Sequence, residues 1–287
     1  MIGRLCIVGV GLIGGSLALA LRRAGAVGEV VGTSRNEAHL RRAVELGVID
    51  RYELASERAV EGADVVVLAV PLGAMTAVCR ALRPGLGEEA VLTDVGSAKA
   101  SVVASVEAAF GGLPSGFVPA HPIAGTERSG VEAAFPELFV HRRVILTPLE
   151  SSSPVACQTV RGMWEQTGAL VEETSVEHHD LVLAATSHLP HMLAFGLVDS
   201  LARLGDHDEI FRYAAGGFRD FTRIASSDPV MWRDVCLANR EALLAMIARY
   251  QIDLRLIEEA IERSDGETLL EIFNRAKQAR DGLYSEE

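Results

Sequence analysis

The feature that most constrains this chain lies in its first sixteen residues. An apolar run, Arg4 to Val8, stops at Gly9-Val10-Gly11-Leu12-Ile13-Gly14, and helical composition follows from Leu12 to Ala24. A strand that ends in this glycine spacing and opens a helix has few uses. The first glycine permits a tight turn, the second lets backbone approach a pyrophosphate, and the third lets helix and strand pack closely. Free amides and the positive dipole end of the helix then attract phosphate. Gly9, Gly11 and Gly14, with Leu12 and Ile13 between them, are therefore expected to cradle a dinucleotide. A glycine-rich turn without a ligand is the alternative that the motif by itself leaves open.

The first half of the chain keeps alternating. Glu29 to Gly32 reads as a second strand, and Asn36 can cap a helix running to Leu46, with Gly47 where a positive φ is needed. Val65 to Val70, Ala90 to Val95, Phe117 to Ala120 and Arg143 to Thr147 read as further strands. The unbroken apolar run Val65 to Val70 suits a strand covered on both faces of a parallel sheet. A helix from about Val155 to Thr167 and a strand near Leu170 complete a doubly wound, Rossmann-type α/β domain over residues 1–173. Beyond Ser175 only helical periodicity remains, which predicts an all-helical substrate and dimerisation domain over 174–287. There Asp228-Pro229 starts a helix. Apolar spacing from Met231 to Ile261 carries that helix for roughly 50 Å, more than a small domain covers alone, so a partner subunit is expected. Ser264-Asp265-Gly266-Glu267 resembles a capping box for a final helix.

Composition narrows the class. Of 287 residues 49% are apolar and 23% charged, the balance of a folded globular chain. A net charge of −12 argues against nucleic acid as the main partner, which would need clustered Lys and Arg. Cys6, Cys79, Cys157 and Cys236 form no CxxC pair and read as free thiols in a reducing compartment. No secretory leader and no charge-free apolar stretch of 18 residues is evident, so a cytoplasmic protein without a membrane partner is expected.

The chemistry concentrates at strand ends. An NAD-preferring site usually carries a carboxylate after the second strand, for the ribose 2′-hydroxyl. Here Ser34 and Arg35 stand in that place, a pair suited to a 2′-phosphate, so NADP is expected ahead of NAD. Arg35 as a plain solvated residue is the alternative. Val70, Pro71 and Asp94, at the ends of later strands, are expected beside the same cofactor. Asp94-Val95-Gly96-Ser97-Ala98-Lys99 and His121-Pro122-Ile123-Ala124-Gly125-Thr126-Glu127 both follow strands at the ligand-binding edge. A histidine there is placed to exchange a proton with a substrate hydroxyl, although a lone His is more often structural. His178-His179-Asp180 and Ser187-His188-Leu189-Pro190-His191 gather histidines without a carboxylate at metal-ligand spacing, so no metal site is expected. Gly216-Gly217-Phe218-Arg219-Asp220-Phe221-Thr222-Arg223 offers arginines for a carboxylate clamp, or simply surface arginines.

Taken together, these stretches resemble the prephenate/arogenate dehydrogenase family of tyrosine biosynthesis. The match runs in order through the glycine turn to Ser16, Asp94 to Lys99, His121 to Glu127, Ser187 to His191 and Gly217 to Asp234. The glycine turn is common to many dehydrogenases, whereas the later stretches are specific. The resemblance implies oxidative decarboxylation of a cyclohexadienol, prephenate or arogenate, to 4-hydroxyphenylpyruvate or tyrosine, with hydride passing to NADP or NAD. It implies that His121 accepts the hydroxyl proton and Ser97 supplies a second hydrogen bond. It implies that Arg223 holds the ring carboxylate, that His179, His188 and His191 line the substrate pocket with Thr126 and Gly217, and that Glu127 lies near its entrance. It also implies a homodimer through the C-terminal helices; because the chain ends near the last helix, the fused regulatory or mutase domain that some family members carry is not expected. Two other readings stay open: a non-catalytic NADPH-binding sensor on the same fold, and a β-hydroxyacid dehydrogenase. The second would place a catalytic lysine in the helical domain, where Lys277 is the only lysine after Lys99.

Overall fold

The structure, a computed structural model, describes residues 1–205 and 207–282; the last five positions of the expected helical domain lie outside the described residues. Nine strands are described: β1 (Ile2–Val8), β2 (Val27–Thr33), β3 (Arg51–Tyr52), β4 (Val65–Leu68), β5 (Val91–Asp94), β6 (Phe117–Val118), β7 (Ala120–Pro122), β8 (Arg143–Leu146) and β9 (Leu170–Glu173). The first six form one parallel sheet in the order β3-β2-β1-β4-β5-β6. Helices α1 (Leu12–Arg23), α2 (Glu37–Glu45), α3 (Ser56–Ala59), α4 (Met75–Leu82), α5 (Lys99–Phe110) and α6 (Pro154–Glu165) accompany the strands.

The apolar strands explain why both faces need helices. Side chains alternate along a strand, so β1 sends Leu5 and Ile7 to one face and Cys6 and Val8 to the other. β4 does the same with Val65 and Val67 against Val66 and Leu68. One core adds Leu17, Leu21, Val160 and Trp164 from α1 and α6; the other adds Met75, Leu82, Val102 and Val106 from α4 and α5. This is the doubly wound α/β architecture that the alternation predicts.

Three local readings change. The stretch Phe117 to Ala120 is two strands, because Pro119 cannot donate to a ladder and the chain leaves the main sheet there. β7 begins a second sheet, β7-β8-β9, antiparallel at β7/β8 and parallel at β8/β9. Arg143–Leu146 therefore belongs to this small sheet and not to the large one. His121 is the middle residue of β7, paired with Ile145, and so does not follow a strand. β3, two residues long, carries too little pattern to be read beforehand.

The helical part comprises α7 (Val176–Leu183), a π-helical turn (Ala184–His188), α8 (Leu189–Ala202), α9 (His207–Arg212), α10 (Gly216–Thr222), α11 (Pro229–Ala238), α12 (Arg240–Glu262) and α13 (Gly266–Gly282). Asp228 caps α11 as expected, its Oδ1 accepting from the Met231 amide at 2.7 Å. The single long helix is broken at Asn239, whose backbone leaves helical geometry (φ −105°, ψ 38°). α12 then runs for 23 residues, roughly 35 Å. The final cap is Asp265 and not Ser264: Asp265 accepts from both the amide and the hydroxyl of Thr268.

Two compact units result, Met1–Arg240 and Glu241 onward. The first extends past residue 173 because α7 is tied to α5 and β7, and the end of α11 to α7, by side chains described below. The second presents Leu244, Ile252, Leu254, Leu256, Ile261, Leu270 and Phe273 as exposed apolar side chains. The run Val176–Ala202 is long and apolar enough to cross a membrane by length and composition. Within it His179, Asp180 and His188 are buried against protein partners.

Candidate active site

The sheet order reverses between β1 and β4, and loops leaving the carboxyl ends of strands flanking such a reversal make a ligand crevice. Register puts those ends level: Thr33, Val8, Leu68 and Asp94 are neighbours across β2, β1, β4 and β5. The turn after β1 has the geometry a dinucleotide needs. Gly9 sits at φ +98°, and a Cβ there would meet the Ala69 carbonyl at 2.3 Å. A Cβ on Gly14 would likewise collide, 2.6 Å from the Gly9 carbonyl. Gly11 differs, since a Cβ there would meet nothing within 4 Å. It is the N-cap of α1 and offers no side-chain cap, so the first amides, Leu12 and Ile13 among them, face an open cradle that fits phosphate. Val70 and Pro71 leave β4 beside it, Pro71 exposed. Among the described residues Ser34 bonds the backbone of Asn36, and Arg35 is exposed just past the end of β2.

Asp94 has a different task from the one expected. It is fully buried, and Oδ2 accepts from the Gly96 amide at 2.7 Å and from Lys99 Nζ at 2.5 Å. Oδ1 accepts from the Ala120 amide at 3.1 Å. Lys99, also fully buried, donates to the Ala120 carbonyl at 2.5 Å. Both backbone groups of Ala120 are thus clamped, and the next residue is His121. The carboxylate is spent on protein partners and sealed from solvent; it anchors β7.

His121 Nδ1 lies 2.9 Å from Nε2 of His179. His179 Nδ1 lies 2.8 Å from Oδ1 of Asp180, which also accepts from the amides of Lys99 and Ala100 at the start of α5. Burial, reinforced by the neighbouring His179, Lys99 and His188, pushes the His121 ring well below its ordinary 6.5. It is a neutral imidazole at pH 7, able to accept a proton. Burial pushes Asp180 upward, but its bonds to His179 and to the two amides outweigh this and hold the carboxyl below its usual range. His179 is therefore behind His121, 1% exposed, and does not line a substrate pocket.

His188 is likewise interior. Asn239 donates to its Nδ1 at 3.0 Å and to the Asp180 carbonyl at 2.7 Å, and burial pushes the ring down to about 4. The Ser97 backbone also interacts with the His188 ring and opposes part of that shift. His191 is half-buried; its Nδ1 donates to the Ser187 carbonyl at 2.9 Å, and the ring stacks on Trp232, centroids 3.6 Å apart. Ser97 is half-buried in the loop before α5. Arg223 forms an ion pair with Glu127, both partly exposed, which joins the two residues expected at the ring carboxylate and at the entrance. Thr126 is exposed and, among the described residues, bonds the Arg128 backbone; Gly217 is the second residue of α10, where a Cβ would meet nothing within 4 Å. Among the described residues no group of three His, Cys, Asp or Glu could hold a metal.

Lys99, Asp180, Asn239 and Trp232 received no role from sequence reading, because they act through partners up to 81 residues away. Lys99, Asp180 and Trp232 lie inside the quoted stretches, whereas Asn239 left no local signal.

A glycine cradle at the sheet's reversal point, with a neutral buried imidazole held near the same edge, defines a nicotinamide-dependent dehydrogenase. Family models for the prephenate dehydrogenase nucleotide-binding domain and dimerization domain match residues 17–173 and 175–275. The chain belongs to the prephenate dehydrogenase family and is an oxidoreductase of its decarboxylating class. It is 38% identical over 285 residues to the cyclohexadienyl dehydrogenase of Zymomonas mobilis, covering 98% of this chain and 96% of that one. A crystal structure of prephenate dehydrogenase from A. aeolicus, in complex with hydroxyphenyl propionate and NAD+, is 39% identical, with a TM-score of 0.92 and 99% of each chain covered. Synechocystis arogenate dehydrogenase is 29% identical with a TM-score of 0.81, covering 98% of this chain and 99% of that one.

Proposed function

We propose that this chain oxidises and decarboxylates prephenate or arogenate, yielding 4-hydroxyphenylpyruvate or tyrosine. The observation that carries the reading is His121: a buried imidazole, kept neutral, at the edge where the glycine turn opens. A bound nicotinamide supplies the hydride acceptor. His121 accepts the proton of the ring hydroxyl, and Ser97 offers a second hydrogen bond to the same oxygen. Arg223 holds the ring carboxylate, for which the Glu127 carboxylate serves as stand-in in the free protein. His191, braced by Trp232 and Ser187, borders the substrate. Loss of carbon dioxide aromatises the ring, so the residues need only orient the substrate, take one proton and balance charge.

NADP is our first choice of cofactor, on the strength of exposed Arg35 and the missing carboxylate after β2. A homodimer is our expected assembly, supported by the family's dimerization-domain description and by the exposed apolar side chains of α12 and α13. A cytoplasmic location accords with the free cysteines. The test is absorbance at 340 nm with prephenate and arogenate, each offered with NADP and NAD. Reduction with at least one pair is expected, fastest with NADP; no reduction with any pair ends the dehydrogenase reading.

A further inference from the structure

We infer that Asp180 and His179 are positioning residues that fix the tautomer of His121 and share the charge it acquires. The inference deepens the proposed reaction and rests on His121 being its proton acceptor.

With Asp180 ionised and His179 neutral, the chain of bonds allows one assignment. Asp180 accepts from the Lys99 amide at 2.7 Å and the Ala100 amide at 2.9 Å, both at the positive end of α5. An ionised carboxylate can only accept, so the 2.8 Å approach of His179 Nδ1 requires a proton on that nitrogen. A neutral His179 then has a bare Nε2. That nitrogen lies 2.9 Å from His121 Nδ1, which must therefore carry the proton between them. Neutral imidazole has one N–H, so Nε2 of His121 is left with its lone pair. With Asp180 uncharged or absent, the opposite tautomer becomes available, and a His121 protonated at Nε2 cannot accept a proton at that nitrogen.

The same chain handles charge. When the substrate O–H bond breaks and an N–H forms at His121 Nε2, the ring becomes cationic. Lys99 and His188 face His121 and oppose that charge, whereas Asp180 favours it one ring further back. The Nδ1 proton of His121 can pass to His179 Nε2, leaving the cation beside the carboxylate. One proton enters and one shifts, and no electrons move in this step.

The tautomer can be read without substrate, by ¹⁵N NMR of histidine-labelled full-length protein at pH 8, with His121 assigned from His121→Asn. A proton on Nδ1 and a bare Nε2 are expected; a proton on Nε2 in the unsubstituted protein overturns the inference. Asp180→Asn keeps an oxygen for the α5 amides but lets an amide donate towards His179. It should lower kcat by roughly 10²-fold, leave the KM for the dinucleotide within about twofold, and shift His121 towards the Nε2 tautomer. His179→Gln, whose side-chain oxygen can accept from His121 Nδ1, should retain the tautomer and recover part of kcat. Full activity in Asp180→Asn with an unchanged tautomer also overturns the inference. If the unsubstituted protein reduces no dinucleotide, the functional reading fails, while the NMR result still decides the relay.

Discussion

Three side chains decide most of what this site can do, and each makes a separable prediction. His121→Asn removes the proton acceptor and should lower kcat by roughly 10²-fold. Because burial holds the ring well below 6.5, the acid limb of kcat/KM in the unsubstituted enzyme should lie below pH 6.5; a limb above it would mean that another group is the base. Arg223→Ala should act on KM for the ring-carboxylate substrate, by about 1.5–3 kcal/mol for a charge-assisted bond, or roughly tenfold to a hundredfold, with kcat little changed. Lys99→Met leaves Asp94 buried without its cation; one-sided removal of such a partner costs about 3–5 kcal/mol. Chemical denaturation should show that loss, together with weakened activity, because the Ala120 clamp that carries His121 is broken. At this scale the sequence singles out His121 and Arg223, whose types advertise their chemistry. It misled on Asp94 and His179, since nothing in a strand-end aspartate or a paired histidine says whether its neighbours will be ligand or protein. Burial decides that, and burial is settled by packing from elsewhere in the chain.

Elements show the opposite balance. Local rules were enough for α2, where Asn36 accepts from the His39 amide and Gly47 takes φ +69°, and for α11. They were enough for the β1–α1 turn, which allows a sharper test. Gly11→Ala should leave stability within about 1 kcal/mol, since its methyl meets no protein atom, yet raise the dinucleotide KM at least about tenfold by filling the cradle. Gly14→Ala should instead destabilise the fold by about 1–3 kcal/mol, because its methyl would lie 2.7 Å from Ile7 Cγ2. Equal effects of the two substitutions on stability would contradict this division of labour. Local rules failed at Asn239, where apolar spacing continues but the side chain turns inward to His188 and the Asp180 carbonyl. They failed also at Pro119, which separates two strands of different sheets. Both breaks answer to distant partners.

For the whole molecule, buried neutral histidines make stability depend on pH in a fixed direction. Unfolded, His188 titrates near 6.5; folded, near 4. Between those values the unfolded chain binds a proton that the folded chain refuses, so stability is full above 6.5 and falls as the pH drops towards 4. His188 alone accounts for about 3 kcal/mol of that fall. Asp180, held below 3.8, adds a loss at still lower pH. Thermal melts from pH 7.5 to 4.5 should show Tm declining below 6.5; a flat profile would mean that His188 is not buried in neutral form. Net charge of −12 says little about this acid sensitivity, which resides in a few interior rings. The α/β class and its helical continuation were legible from alternation alone, while the second sheet was not, because β7 and β8 look like any other apolar strand until their partners are known.

The π-helical turn at Ala184–His188, closed by the Leu189 amide on the Ala184 carbonyl, has a consequence for how this chain can change over evolutionary time. It holds one residue more than an α-helical turn, and each residue in an α-helix advances the side chains by about 100°. Deleting a single alanine there would keep every histidine in the composition, yet rotate α8 so that His191 no longer lay flat on Trp232. The angular phase of one face of the site is thus stored in a residue count, and relatives that preserve the letters but not the count would not preserve the site.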